Sequence, residues 1–91
     1  MLYVDMEKEF THIISSRDIL DRLEKKMDSE DSIILDFKNV EFISRTAAHR
    51  LLSYKRNHPD KNIKFINMSE SVKKMLEIVD AQLDRDVYDN L

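Results

Sequence analysis

The chain contains no glycine among its 91 residues. Walker and Rossmann loops need glycine for close approach of the backbone to phosphate, and a nucleophile elbow needs it to pass a sharp strand-to-helix turn. Those three routes to a nucleotide or catalytic site are excluded. Turns must instead rely on Asn, Asp, Ser and the one proline, Pro59. Cysteine is absent too, which removes disulfides and thiol chemistry and is compatible with a cytoplasmic protein.

The length predicts one small domain, residues 1–91, with a modest core. Fifteen basic and 18 acidic residues are spread along the chain, for a net charge of −3. That balance argues against nonspecific nucleic-acid binding, which needs a dominant basic face to displace counterions. No apolar run approaches the roughly 20 residues that span a bilayer, so no membrane insertion is expected. The opening MLYVDMEKEF is charged early and lacks the apolar core of a secretory signal.

The chain is organised around residues 32–52, SIILDFKNVEFISRTAAHRLL. Ser32 to Phe37 is the best strand candidate, and its continuous apolar run predicts burial on both faces. Val40, Phe42 and Ile43 are apolar anchors on the way out, and Ser44 opens a helix that runs to about Asn57, before Pro59. Upstream, Leu2–Met6 and Phe10–Ile14 read as strands, and the three residues Glu7-Lys8-Glu9 between them predict an antiparallel hairpin. Ser15 and Asp18 form a loose capping box for a helix that carries Ile19, Leu20, Leu23 and Met27 inward and ends near Asp28. Ile63–Ile66 is the next strand. Asn67 or Ser69 caps a last helix with Val72, Met75, Leu76, Val79 and Leu83 on one face, and residues 84–88 suit either a frayed helix or a short edge strand. The order β-β-α-β-α-β-α predicts an α/β fold, a mixed four-stranded sheet with three helices, with right-handed crossovers between parallel strands.

This order, with the segment IILDFKNVEFIS running into a helix, resembles the STAS fold of anti-sigma-factor antagonists. The closer resemblance is to a STAS-like group of small bacterial and archaeal domains, through Ser16-Arg17 at the start of the first helix and Leu35-Asp36-Phe37, Val40 and Phe42-Ile43-Ser44. The resemblance covers roughly residues 2–80 and implies a regulatory, non-enzymatic domain that docks a protein partner. In the antagonists this loop carries Asp-Ser-Ser/Thr-Gly, and an anti-sigma kinase of the GHKL type phosphorylates the first hydroxyl residue. The alignment sets Ser44 at the Asp, Arg45 at the phosphorylated Ser, Thr46 at the next hydroxyl and Ala47 at the Gly. Arginine therefore occupies the phosphorylatable position, and the hydroxyls left for modification are Thr46 and Ser44.

The residues carry a parallel reading of their own. Ser44 sits where a helix N-cap belongs, and its hydroxyl is expected to accept from a free backbone amide, worth ~1 kcal/mol. With Ala48, Leu51 and Leu52 inward, Thr46, His49, Arg50, Ser53 and Asn57 fall on the opposite stripe, flanked by Arg45 and Arg56. Within this helix Arg45, Arg50, Lys55 and Arg56 meet no acidic residue, which predicts a positive tilt suited to an acidic or phosphorylated partner. The expected docking set is Ser44, Arg45, Thr46, His49, Arg50 and Ser53. An alternative is a phosphate- or nucleotide-responsive module that holds its anion at the helix N-terminus, residues 44–46. Asp36 ends the central strand and is expected to serve a turn or cap, with a cleft shared with Ser44 as the catalytic alternative. His12, His49 and His58 have no metal-ligand spacing, so neither a metal nor any other cofactor is expected. Lys55 points inward on the wheel and is expected to extend its stem past the helix end.

Overall fold

The computed structural model describes residues 1–89, with side chains to residue 85. Five strands and four helices follow one another as β1 (Leu2–Asp5), α1 (Met6–Phe10), β2 (Ile13–Ile14), α2 (Arg17–Asp28), β3 (Ser32–Asp36), β4 (Phe42–Ile43), α3 (Arg45–Asn57), β5 (Asn62–Ile66) and α4 (Glu70–Asp89). β1, β3 and β5 form one sheet in the order β1-β3-β5, and β2 pairs with β4 in a second. All three pairings are parallel.

The predicted hairpin does not form, and the mixed four-stranded sheet with three helices is corrected to two parallel sheets and four helices. The intended turn is the middle of α1. Asp5 accepts from the Lys8 amide at 3.2 Å, and Met6 and Phe10, one turn apart, are both buried. A tight hairpin at Glu7-Lys8-Glu9 would need backbone that only Gly or Asn takes readily. One helical turn uses the same residues and ends on Thr11 at φ 69°. β2 then shrinks to Ile13–Ile14 and finds its neighbour in Phe42–Ile43, a segment with too few residues to show a strand period.

Val4 of β1, Ile33 and Leu35 of β3 and Ile63 of β5 are buried in one core with Leu20, Leu23 and Met27 of α2, Leu51 of α3, and Val72, Leu76 and Val79 of α4. The register sets Tyr3, Ile34 and Lys64 side by side on the other face, where Tyr3 and Lys64 are exposed and Ile34 is half-buried. Burial of the central strand is thus heavier on one face than the other, where the apolar run predicted both. Phe37, fully buried just past β3, meets Phe65 edge-on with ring centroids 5.5 Å apart.

Helix starts follow the sequence closely. Ser16, not Ser15, caps α2, accepting from the Ile19 amide at 3.3 Å. Ser69 caps α4, accepting from the Val72 amide at 3.2 Å, which leaves Asn67 for another task. α4 continues through residues 84–88 to Asp89, and residues 90 and 91 lie outside the described residues. No helix of the described residues is long and apolar enough to cross a membrane.

Candidate functional site: the start and outer stripe of α3

The junction from β4 into α3 is built by short-range rules. Ile43 is fully buried opposite Ile14, and the Ser44 amide donates to the Ile14 carbonyl at 2.9 Å. The Ser44 hydroxyl accepts from the Ala47 amide at 3.1 Å, and its carbonyl starts the helical ladder by accepting from Ala48 at 2.9 Å. Ala47, Ala48, Leu51 and Tyr54 face the core, and Leu52 is half-buried at its edge. Ala47 and Tyr54 join the inward face that Ala48 and Leu51 were expected to form. Two consecutive alanines with no exposed surface let the start of the helix sit close to the core.

On the outer side, Arg45, Thr46 and His49 are exposed and Ser53 is half-exposed, with His49 Nδ1 and Ser53 Oγ 3.5 Å apart. Helical spacing places these four on one stripe. Arg50 borders that stripe and belongs to α2. Its Nε donates to Glu24 at 3.0 Å, its Nη2 donates to Glu24 at 2.8 Å and to Asp21, and its Nη1 donates to the Arg17 carbonyl at 3.5 Å. The Glu24 and then the Asp21 carboxylates raise the Arg50 pKa above its ordinary value, so the guanidinium stays charged at any working pH. On the other border Arg56 pairs with Asp80 and Asp84 of α4, each at 2.7 Å.

Neighbouring helices therefore supply the carboxylates that α3 lacks. Of the four cations expected to tilt this face positive, two are neutralised by α2 and α4, and Lys55 stands 5.3 Å above the Phe65 ring with its head exposed. Arg45 forms no ion pair among the described residues. The stripe is bounded by two arginine clamps and carries one cation at its start.

An apolar pair that sequence reasoning passed over adjoins the start of the stripe. Ile13 and Phe42 are direct neighbours across β2–β4, 52% and 43% exposed respectively. The signal was present in the alternation of a strand: with Ile14 and Ile43 buried, the preceding residue on each strand must face outward. β2 and β4 also end alike. Each runs within two residues into a serine cap followed by an exposed arginine, Ser16-Arg17 and Ser44-Arg45.

Asp36 takes the structural role. It is 7% exposed, accepts from the Asn67 side-chain amide and the Lys38 backbone amide at 3.0 Å each, and accepts from the Tyr3 hydroxyl. The Tyr3 hydroxyl foremost, then Asn67 and Lys38, hold its carboxyl below the usual carboxylate range against the opposing effect of burial. It thereby ties β1 to the residues that follow β3 and β5. An open cavity of about 410 Å³ beyond those strand ends is lined by Glu7, His12, Asn39, Glu41, Asn67 and Ser69, among others, and by neither Asp36 nor Ser44. The shared cleft considered for those two does not form there.

A family model for the STAS domain matches residues 4–91. The chain belongs to the STAS domain family. No curated protein and no solved structure gives a match. In this STAS domain Arg45, which the resemblance sets at the antagonists' phosphorylated serine, is the first residue of α3, with Thr46 exposed after it and the Ser44 hydroxyl engaged as the cap.

Proposed function

We propose that this STAS domain is a non-enzymatic, cytoplasmic regulatory module, related in role to the anti-sigma-factor antagonists, that docks a protein partner through residues 44–53. One observation carries the reading. The cap and the two clamps use Ser44, Arg50 and Arg56 for structure, while Arg45, Thr46, His49 and Ser53 stay at the surface beside the uncovered Ile13–Phe42 pair. A compact apolar pair with a polar and cationic rim is the arrangement of a binding hot spot. Phe42 and Ile13 supply the apolar contact, and Arg45 with Thr46 and His49 supplies the rim. Arg50 acts from below by holding α3 against α2. A regulatory kinase of the GHKL type is the partner class to try first, with Thr46 as the accessible hydroxyl.

The test pairs Arg45→Ala and Phe42→Ser with a distant control, Lys74→Ala, in affinity capture of the intact chain's partner. Loss of the partner in both site variants, with unchanged circular dichroism, supports the reading. Capture that survives both substitutions removes this surface.

A second reading has its own support in the twin helix starts at Ser16-Arg17 and Ser44-Arg45, where free amides and an arginine face the same end of paired strands. In it the start of α3, residues 44–46, holds a phosphate or nucleotide. Titration with ATP or inorganic phosphate should shift NMR amide signals of residues 15–18 and 43–47 together. A flat titration removes it.

A further inference from the structure

His12 stands between α1 and β2, one residue before the exposed Ile13. Its backbone carbonyl accepts from the amides of Glu41 at 2.8 Å and Phe42 at 3.2 Å, which ties it to the loop, residues 37–41, between β3 and β4. Its ring meets the same loop. Nδ1 lies 3.1 Å from the Asn39 carbonyl and 3.4 Å from one Glu7 carboxylate oxygen. The Asn39 side-chain amide donates to the other Glu7 oxygen at 3.4 Å. Glu7, His12 and Asn39 thus close a circuit of polar contacts between α1 and the loop, on the wall of the cavity of about 410 Å³.

A carbonyl oxygen and a carboxylate oxygen only accept, so Nδ1 must carry a hydrogen for either contact to hold. Imidazolium always carries one there. Neutral imidazole divides its single hydrogen between Nδ1 and Nε2, and with the hydrogen on Nε2 a lone pair faces both oxygens. The charged groups that act on the ring are Glu7 from α1 and Glu41 from the loop, both acidic. Across the cavity, the segment leading into α4 brings Asn67, Met68 and Ser69, which carry no charge. The Asn39 carbonyl foremost, then Glu7 and Glu41, raise the His12 pKa above its ordinary value of about 6.5, against the opposing effect of desolvation. Of residues 38–41 only Val40 is buried, so polar contacts along the outer edge of the loop decide how firmly it is held.

We propose that His12 is a proton-operated latch on the β3–β4 loop: charged, its ring grips Asn39 and Glu7 and holds the loop against α1; neutral, it lets the loop move. Because the folded chain binds this proton more tightly than the unfolded one, the hold is fully present below pH ~6.5 and is lost as pH rises through the higher folded value. Phe42 follows the loop directly, so the latch sets how firmly the Ile13–Phe42 pair is presented. That consequence rests on the proposed docking face, whereas the latch itself is a property of the free chain.

An NMR titration of the free chain from about pH 5 to about pH 9 tests this. The His12 ring signals should titrate with a midpoint above ~6.5, and the amide signals of residues 39–42 should move with the same midpoint. Backbone order parameters of those residues should be higher at pH ~5.5 than at pH ~8.5. Glu7→Gln should lower the midpoint toward ~6.5 while the signals of β3 and β5 stay in place. His12→Gln, which cannot titrate, should leave residues 39–42 without a pH response in that range. A midpoint at or below ~6.5, or order parameters equal at the two pH values, overturns the proposal. So does a midpoint indifferent to Glu7→Gln, or a loop response that survives His12→Gln. No partner enters these readouts, so they succeed or fail apart from the docking face.

Discussion

Thr11 stands at φ 69° and ψ −143°, backbone that favours glycine and is costly for a β-branched residue. Asn39 and Asn67 also have positive φ, at 64° and 57°, in the region asparagine tolerates best. A chain without glycine has distributed its left-handed positions as well as it can, and Thr11 is the strained one. Thr11→Gly should therefore stabilise the domain by about 1 kcal/mol, measured by chemical denaturation. Asp36 gives the opposite case. Removing it as Asp36→Ala strands three donors and should cost about 3 kcal/mol. Because its carboxyl is held low, the stability it adds is fully present above the unfolded-state pKa of about 4 and is lost as pH falls through the lower folded value. Tyr3→Phe removes the largest cause of that depression. Plots of unfolding free energy against pH should become shallower below pH ~4 in that variant, and an unchanged slope would reject Asp36 as the linked group.

Among the elements, α3 is held between its neighbours by Arg50 and Arg56 as well as by its apolar face. Arg50→Ala should lower stability by about 1–2 kcal/mol, and Arg50→Lys should recover less than half of the loss, because an ammonium cannot make the fork's parallel bonds to Glu24. Adding salt should narrow the difference between wild type and Arg50→Ala. These clamps explain what the sequence could and could not convey. The long helices, the central strand and the Ser44 cap were legible because period, length and capping chemistry agree within each segment. The carboxylates that meet Arg50 lie 26 and 29 positions away, and those that meet Arg56 lie on α4, so α3 by itself shows only cations. α1 and the β2–β4 pair were hidden for a different reason. Five residues and two residues are too short for a period to show, and a three-residue connector between β-rich segments is the pattern of a hairpin. The outer stripe of α3 was thus visible as a face. Its apolar neighbour and its true charge were not.

At the scale of the molecule, all strand pairings are long-range. Leu2 meets Ile33, Ile33 meets Ile63 and Ile13 meets Phe42, each pair about thirty residues apart. β3 bridges the two edges of its sheet, so Ile33→Val should weaken both pairings and cost about 1 kcal/mol. Replacing the predicted hairpin by α1 carries a consequence for how the chain reaches this state. Without a local hairpin no two strands can zip from a turn, and each crossover must close a loop of roughly thirty residues before its first ladder bond forms. Folding is then limited by β3 finding a neighbour. Stopped-flow kinetics should show Ile33→Val slowing refolding, whereas Leu76→Ala on α4 should chiefly speed unfolding.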